Sequence, residues 1–230
     1  MKDLRHPVMM FESRAEAGRL LAGLLKSYSQ RDNVLVLAVP RGGVPVGIEV
    51  AHALDLAFDV LVAQRVLASC HEPWQQELSL GAVARSGACA LNTEIIESGG
   101  IVPQQVEAAV ARSRRELNRK DALYRGECPF PDVRKQTIIL VDDGVKTGAT
   151  LRASIQALRT LGAARIVVAV PVGSIQACEE LSHVADDVIC PVQDQPFGNI
   201  HGRYRDFPRI TDEEVRTLVD LNPRRATAGR

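Results

Sequence analysis

Two stretches of the chain are apolar at almost every position. They are residues 33–39 (NVLVLAV) and 138–141 (IILV). A strand with one solvated face alternates apolar and polar residues, so an unbroken apolar run predicts a strand that is buried on both faces of a parallel sheet. Elsewhere apolar residues recur every three or four positions, which is the spacing of helices that pack one face against a sheet.

The remaining pattern predicts helices and strands in alternation. Ser13-x-x-Glu16 begins the first predicted helix and Thr211-x-x-Glu214 the last, because a hydroxyl followed three residues later by a glutamate caps a helix start. Helices are predicted at 13–26, 44–54, 103–123, about 150–161 and 174–183, and further strands at 58–63, 80–84, 88–91, 165–170 and 187–190, with 80–84 and 88–91 as a hairpin-like pair. The alternation favours an α/β fold with a parallel sheet, formed by residues 1–230 as a single domain.

Composition and charge narrow the function classes. The 230 residues are 46% hydrophobic, and 28 basic side chains balance 28 acidic ones. This balance of charges argues against a nucleic-acid partner. The absence of a long apolar run or secretory segment predicts a cytoplasmic protein without a membrane partner. Five scattered cysteines without a CxxC pair argue against a disulfide framework or a zinc site. The basic, polar tail at 222–230 is expected to lack fixed structure.

Candidate chemistry follows the strand predicted at 138–141. Asp142 and Asp143 come directly after it, where ligands of open α/β sheets bind, and two acids in a solvent-filled crevice can accept hydrogen bonds from vicinal sugar hydroxyls. A turn and a helix start follow, whose free backbone N–H groups attract a phosphate, and Gly148 permits close approach of the backbone. The pattern suits a ribose 5-phosphate. The alternative is an acidic turn in which Thr147 or Thr150 caps the helix.

A second loop follows the other buried strand. Residues 33–39 run directly into Pro40, Arg41, Gly42 and Gly43. Two glycines allow backbone conformations that turn N–H groups toward an anion, and the arginine adds a fixed positive charge. The alternative is an ordinary turn with a surface arginine.

Both loops resemble motifs of one family. The segment TIILVDDGVKTGAT at 137–150 is similar to the 5-phosphoribosyl 1-diphosphate (PRPP) signature of type I phosphoribosyltransferases, and residues 40–43 resemble the pyrophosphate loop of that family. The resemblance implies an open parallel sheet flanked by helices, with a small hood. It also implies a Mg²⁺-dependent enzyme that transfers the 5-phosphoribosyl group of PRPP to a nitrogenous acceptor, a nucleobase, and releases diphosphate. A homodimer is implied in the same way.

The resemblance assigns roles residue by residue. The catalytic acids would be Asp142 and Asp143. The 5-phosphate would bind Lys146, Thr147, Gly148, Ala149 and Thr150, and the diphosphate would bind Arg41, Gly42 and Gly43. Magnesium would have no direct protein ligand and would be held mainly by PRPP oxygens and water.

Two further segments match the family only by position. A flexible loop is expected at about 64–78, where Arg65 would contact the diphosphate, and where Gln64 departs from the more basic strand end of many relatives; His71 and Glu77 lie in the same loop. A hood is expected at about 192–210, with Phe197 and Tyr204 stacking against the acceptor. The alternative for these aromatics is that they seal the edge of the core.

Two other classes of protein remain open at this point. The first is a non-catalytic PRPP or nucleotide sensor of the same fold that regulates a partner or an RNA. The second is a nucleotide-binding oxidoreductase with a doubly wound sheet, although no GxGxxG follows a predicted strand.

Overall fold

Strands and helices alternate in the computed structural model, which describes residues 9–68 and 78–226. The strands are β1 (Val34–Ala38), β2 (Ala57–Val60), β3 (Ala63–Ala68), β4 (Leu78–Ala84), β5 (Cys89–Leu91), β6 (Thr137–Val141), β7 (Arg165–Ala169), β8 (Val172–Ser174), β9 (Asp187–Ile189) and β10 (Val192–Asp194). The helices are α1 (Arg14–Leu24), α2 (Gly43–Leu54), α3 (Thr93–Ser98), α4 (Pro103–Arg125), α5 (Ala149–Thr160), α6 (Ile175–Ser182) and α7 (Asp212–Asp220).

The central sheet is parallel and has the strand order β2-β1-β6-β7-β9. The two unbroken apolar runs form β1 and β6, which lie side by side with Ala38 opposite Val141. Because parallel neighbours end at the same edge of a sheet, the segments that follow these two strands come together there. The predicted parallel α/β fold is confirmed.

Helices cover both faces of this sheet, which explains why its strands lack polar alternation. Ile139 of β6 packs with the apolar faces of α1, α2, α4 and α7. The next residue, Leu140, points to the opposite face and packs with α5 and α6. Successive residues of a strand alternate between faces, so a strand sandwiched between two helical layers must be apolar throughout.

A separate antiparallel sheet, in the order β3-β4-β5, contains the hairpin-like pair that the sequence predicts. Small side chains of β4, including Ala82 and Ala84, pack against Ala153 and Ala157 of α5. The expectation of a loop across 64–78 is wrong at both ends, because β3 extends from Ala63 to Ala68 and β4 begins at Leu78. Residues 69–77 between them, with His71 and Glu77, lie outside the described residues.

Residues 224–226 pair with the central sheet, contrary to the expectation that the tail lacks fixed structure. Phe58 N–H of β2 donates to the Arg224 carbonyl at 2.9 Å, and Ala226 N–H donates to the Phe58 carbonyl at 2.8 Å. These bonds use the backbone groups that an edge strand leaves unpaired, so the segment covers the open edge of the central sheet. Residues 227–230 lie outside the described part of the chain.

Residues 192–210, the expected hood, lie against the beginning of α1. Phe11 N–H donates to the Arg203 carbonyl and Arg205 N–H donates to the Phe11 carbonyl, each at 2.9 Å. Ser13 caps α1 as the sequence predicts, since its side chain accepts the N–H of Glu16. None of the helices within the described ranges is both long and apolar enough to span a bilayer.

Candidate active site

The two predicted ligand loops touch each other beyond the ends of β1 and β6. A Cβ atom on Gly42 would lie 1.8 Å from Asp143 Oδ2, and a Cβ on Gly43 would lie 2.8 Å from the Val141 carbonyl oxygen. Gly42 has a φ of −65°, which any residue adopts, so space and not backbone conformation requires glycine there. The glycines let the loop at 40–43 lie directly against the acidic strand end. The peptide between Pro40 and Arg41 is cis.

The two acids have different surroundings, and only Asp142 has the partly open position that the sequence predicts for both. Asp142 is half-buried, and its Oδ1 accepts the N–H of Asp143 at 2.8 Å. Asp143 is only 8% exposed, and its Oδ2 accepts the Nε–H of Arg14 at 2.9 Å. The expectation of a solvent-filled crevice around both acids is therefore wrong for Asp143, which forms a buried ion pair.

These surroundings change the acidity of both groups. Burial and the neighbouring charge of Asp143 raise the pKa of Asp142 well above its ordinary value. Burial also raises the pKa of Asp143, and the charge and hydrogen bond of Arg14 oppose that rise. The two adjacent carboxyls differ because only Asp143 has a cation in contact with it, which favours its ionised form.

The segment 146–150 forms a turn into α5. Gly148 has a φ of +69° and precedes the first residue of the helix, without any side-chain capping bond, so the alternative in which Thr147 or Thr150 caps the helix is wrong. No hydrogen bond joins the backbone N–H groups of residues 146–151 to another described residue. Free N–H groups at the positive end of a helix attract an anion, so this turn has the properties expected of a phosphate site.

Neighbouring strands hold this turn in place. Val145 N–H donates to the Val172 carbonyl at 2.9 Å, and the hydroxyl of Ser174 donates to the Lys146 carbonyl at 2.8 Å. The side chains of Lys146 and Thr147 are exposed. A cavity of about 420 Å³ adjoins the turn, and Lys146, Thr147, Ala149, Arg152, Gln176 and Glu180 are among the residues that line it. Its size is within the usual range of small-molecule sites.

The two predicted diphosphate arginines lie on different elements. Arg41 is 39% exposed, with its Nη1 3.7 Å from Oδ1 of Asp212, which also accepts the Tyr124 hydroxyl at 2.6 Å. Arg65 has an exposed side chain on β3, and its backbone carbonyl accepts the Ser113 hydroxyl at 3.0 Å. No hydrogen bond or ion pair between described residues joins the side chain of Arg65 to the loop at 40–43.

The hood aromatics include one residue that cannot stack on a ligand. Tyr204 is 3% exposed and packs between Phe11 and Phe207, at ring-centroid distances of 5.6 Å and 4.9 Å. Its hydroxyl donates to the Asp143 carbonyl at 2.7 Å. The prediction that Tyr204 stacks on the acceptor is thus wrong in this conformation, and the alternative of a core-sealing role applies. Phe197 is partly exposed at the edge of the same cluster and stays a candidate.

Sequence reasoning missed Arg14, although the sequence carries a signal for it. Arg14 stands three and seven positions before Ala17 and Leu21, on the helix stripe that faces the core. A charge on a buried stripe needs a partner of opposite charge, because burial without one is very unfavourable. The partner is Asp143, 129 residues away in sequence. The pattern reveals the need for a partner and not its identity.

The family assignment follows from comparison with known proteins. The family model of the phosphoribosyl transferase domain matches residues 11–204. The chain belongs to the phosphoribosyl transferase domain family, and its sheet flanked by helices is the type I phosphoribosyltransferase fold.

Named relatives agree with this assignment. Two Mycobacterium tuberculosis proteins, from two strains, carry the provisional name of a phosphoribosyl transferase; each is 34% identical over 212 residues, 92% of this chain and 46% of the relative. The chain thus spans about half the length of these curated relatives. The crystal structure of TT1426 from Thermus thermophilus superimposes with a TM-score of 0.75 at 34% identity, over 96% of this chain and 100% of the other.

Proposed function

We propose that the protein transfers the 5-phosphoribosyl group of PRPP to a nitrogenous acceptor, a nucleobase, and releases diphosphate. The observation that carries this proposal is the contact between Gly42 and Asp143, which unites the loop at 40–43 with the acidic strand end. The edge of the sheet where β1 and β6 end thereby offers an anion-binding loop, two acids and a turn suited to a phosphate. These are the groups that a sugar carrying phosphates at both ends would need.

Each part of PRPP has a matching part of the site. The 5-phosphate fits the turn at 146–150, whose free N–H groups lack a partner in the described chain. The ribose hydroxyls fit Asp142, the more open of the two acids. The diphosphate fits the backbone at 41–43, with Arg41 as a counter-charge and Arg65 as a second one that would have to approach from β3.

Magnesium fits this site as a companion of the substrate. The described residues contain no cluster of three or more His, Cys, Asp or Glu side chains that could hold a metal ion. Magnesium prefers few protein ligands and several oxygens of phosphate and water, which PRPP supplies. When bound, it would neutralise negative charge on the departing diphosphate.

The chain contributes fixed charges to the reaction. Departure of diphosphate builds positive charge on the ribose ring, and carboxylates beside the ring stabilise that charge in the transition state. Asp143 is held rigidly by Arg14, and Asp142 lies nearer to solvent. The nitrogen of the acceptor then attacks the anomeric carbon, and Phe197 at the hood edge offers a ring face for a base.

Diphosphate release tests the proposal. Purified protein is incubated with PRPP, Mg²⁺ and each base of a purine and pyrimidine panel, and diphosphate is measured. We expect release with at least one base and its loss in Asp142→Asn, whereas Asp132→Asn, an exposed change before β6, should retain it. PRPP binding without release for any base would favour the regulatory alternative. The absence of both PRPP binding and diphosphate release would refute the proposal.

A further inference from the structure

Arg14 is anchored on three sides although it lies on a helix remote in sequence from the loops. Its Nε–H donates to Asp143 at 2.9 Å and its Nη1–H donates to the Pro208 carbonyl at 2.8 Å. Its guanidinium carbon lies 3.6 Å from the ring centroid of Phe207. The planar guanidinium of arginine can donate hydrogen bonds and stack on an aromatic ring at the same time, whereas the ammonium of lysine cannot.

The same cluster links the hood to the acidic strand end by a second route. The Tyr204 hydroxyl donates to the Asp143 carbonyl, and the Tyr204 ring packs on Phe207. The side chain of Asp143 is thus held by Arg14, and its backbone is held by Tyr204. Moving the hood away would break the bond from Tyr204 and would remove the Pro208 and Phe207 contacts that hold Arg14 against Asp143.

We propose that Arg14 is a positioning residue of the PRPP site: it favours the ionised form of Asp143 and fixes that acid against Gly42, and its contacts with Phe207 and Pro208 couple the charge of Asp143 to the packing of the hood. This inference rests on the proposed function, because it assigns Arg14 a role at the same site. Arg14 touches no reacting atom in this arrangement and acts only through Asp143.

The balance of charges around Asp143 explains why such a residue is needed. Asp142 adds a negative charge from the same loop, Tyr204 presents a neutral hydroxyl from the hood, and Gly42 brings no ionisable group from its loop. Arg14 from α1 is the cation in contact with this carboxylate among the described residues. Without it, burial and Asp142 would both favour the protonated acid.

The test compares PRPP affinity across pH in two arginine variants of α1. Arg14→Met removes the buried cation, and Arg19→Met removes an exposed cation whose nearest acid is 3.4 Å away. Calorimetric titration with Mg²⁺ and PRPP gives the affinity of each variant from about pH 6 to pH 9. Because both variants bind the same ligand, the ratio of their dissociation constants cancels the titration of PRPP itself.

A specific pH trend is expected for that ratio. At neutral pH Arg14→Met should bind about tenfold more weakly than Arg19→Met, the usual scale for losing a charge-assisted hydrogen bond. The ratio should fall toward one as the pH rises and Asp143 ionises without help. Arg14→Lys should recover part of the affinity, since it restores the positive charge but not the planar guanidinium. A ratio that stays constant with pH would mean a purely structural role and would overturn the inference.

A measurement on the wild-type protein covers the case in which Arg14→Met does not fold. Carbon-13 titration of aspartate carboxyls, with Asp143 assigned by comparison with Asp143→Asn, should show an ionised Asp143 at neutral pH. A protonated Asp143 at neutral pH contradicts the inference. Failure of the wild-type protein to bind PRPP at any pH contradicts the proposed function instead.

Discussion

Asp142 and Asp143 show how adjacent residues of one type take different positions. Asp143 has a cation beside it and is deeply buried, whereas Asp142 is half-buried and has its pKa raised by burial and by Asp143. A carboxyl whose folded-state pKa is raised stabilises the fold only while it is protonated. That contribution is lost as the pH rises through the folded-state pKa, so ionisation of Asp142 costs stability.

Asp142→Asn should therefore bind PRPP at least about tenfold more weakly and yet be more stable than the wild type at pH 8. Asparagine keeps the oxygen that accepts the N–H of Asp143 and removes the unfavourable charge. Urea unfolding at pH 8 and pH 5 measures the effect, and the stability gain should shrink at the lower pH. A variant less stable than the wild type at pH 8 would show that the charge of Asp142 is compensated in the fold.

Gly42→Ala should disturb the contact between the two loops. The new Cβ would meet the Asp143 carboxylate at 1.8 Å, and Arg14 keeps that carboxylate from moving aside. We expect a loss of about 1–3 kcal/mol in the free energy of unfolding, as in overpacked cores, together with weaker PRPP binding. Gly23→Ala in α1 is the matched control, because no atom lies within 4 Å of its Cβ position.

The control should gain about 0.5–1 kcal/mol, since alanine is the better helix former. Chemical unfolding and PRPP titration of both variants decide the matter. Equal behaviour of the two variants would contradict the close contact between Gly42 and Asp143.

At the residue scale, the sequence shows which residues can take part in a reaction better than it shows which residues contact each other. The two acids were predicted because they follow an apolar strand. Arg14 and the buried Asp59 were not predicted as ion-pair members, since nothing local to them names a partner 129 and 66 residues away in sequence. Tyr204 was predicted to stack on the acceptor, because the sequence does not show whether neighbouring side chains cover an aromatic ring.

The turn into α5 depends on the backbone conformation of Gly148. Its φ of +69° is unfavourable for other residues, while the nearest atom to its Cβ position is 3.4 Å away and leaves ordinary room. Gly148→Ala should therefore cost about 1–2 kcal/mol through backbone strain and weaken binding of ribose 5-phosphate. Gly87→Ala is the control, because Gly87 has a φ of +79° with no atom within 4 Å.

Both variants should lose similar stability, and only Gly148→Ala should lose ribose 5-phosphate affinity. Isothermal titration with ribose 5-phosphate and thermal unfolding supply the two readings. Unchanged affinity in Gly148→Ala would remove the turn at 146–150 from the site.

Helix α4 is joined to β2 by a buried ion pair. Arg125 Nη1 lies 2.6 Å from Asp59 Oδ2, and their side chains are 3% and 1% exposed. Arg125→Met should destabilise the protein by about 3–5 kcal/mol, because it leaves a buried carboxylate without its cation. Arg134→Met, at a side chain that is 75% exposed, should change stability by less than about 0.5 kcal/mol.

Urea unfolding measures both changes. The double variant Asp59→Asn with Arg125→Met should recover much of the loss, since neither charge then stays buried alone. Similar small effects of Arg125→Met and Arg134→Met would show that water reaches the Asp59 pair.

At the element scale, the apolar content of a segment determined what could be predicted. The long apolar runs of β1 and β6 and the periodic helices were identified with near-correct bounds. The strands β8 and β10 were missed because each carries a single large apolar residue, although the equally short β5 and β9 were predicted; α3 was missed because it has fewer than two helical turns. In β3 only Val66 and Ala68 are buried, so two alternating positions were too few to distinguish a strand from a loop.

For the whole molecule, the sheet order and the covered sheet edge come from the structure and not from the sequence. Alternation of elements predicted a parallel sheet, but long-range pairing put β1 beside β6 and residues 224–226 beside β2. The sequence could not predict that pairing, because edge coverage depends on backbone groups that every residue carries. The basic composition of the tail therefore led to an expectation that is wrong for residues 224–226.

The resemblance to the family also predicts a homodimer. Sedimentation equilibrium at micromolar concentration should give a mass near twice the 25.0 kDa of the chain. A concentration-independent mass equal to one chain would refute this prediction. It would leave the proposed PRPP site unaffected, since the contacts argued above lie within one chain.

The most direct test of the account is calorimetric titration of the wild-type protein with PRPP, with and without Mg²⁺. The loops at 40–43 and 142–150 meet at one sheet edge, and we expect magnesium-dependent binding with a dissociation constant of about micromolar size. Absence of PRPP binding in both conditions would mean that these loops are not a PRPP site in this protein, whatever the family to which the chain belongs.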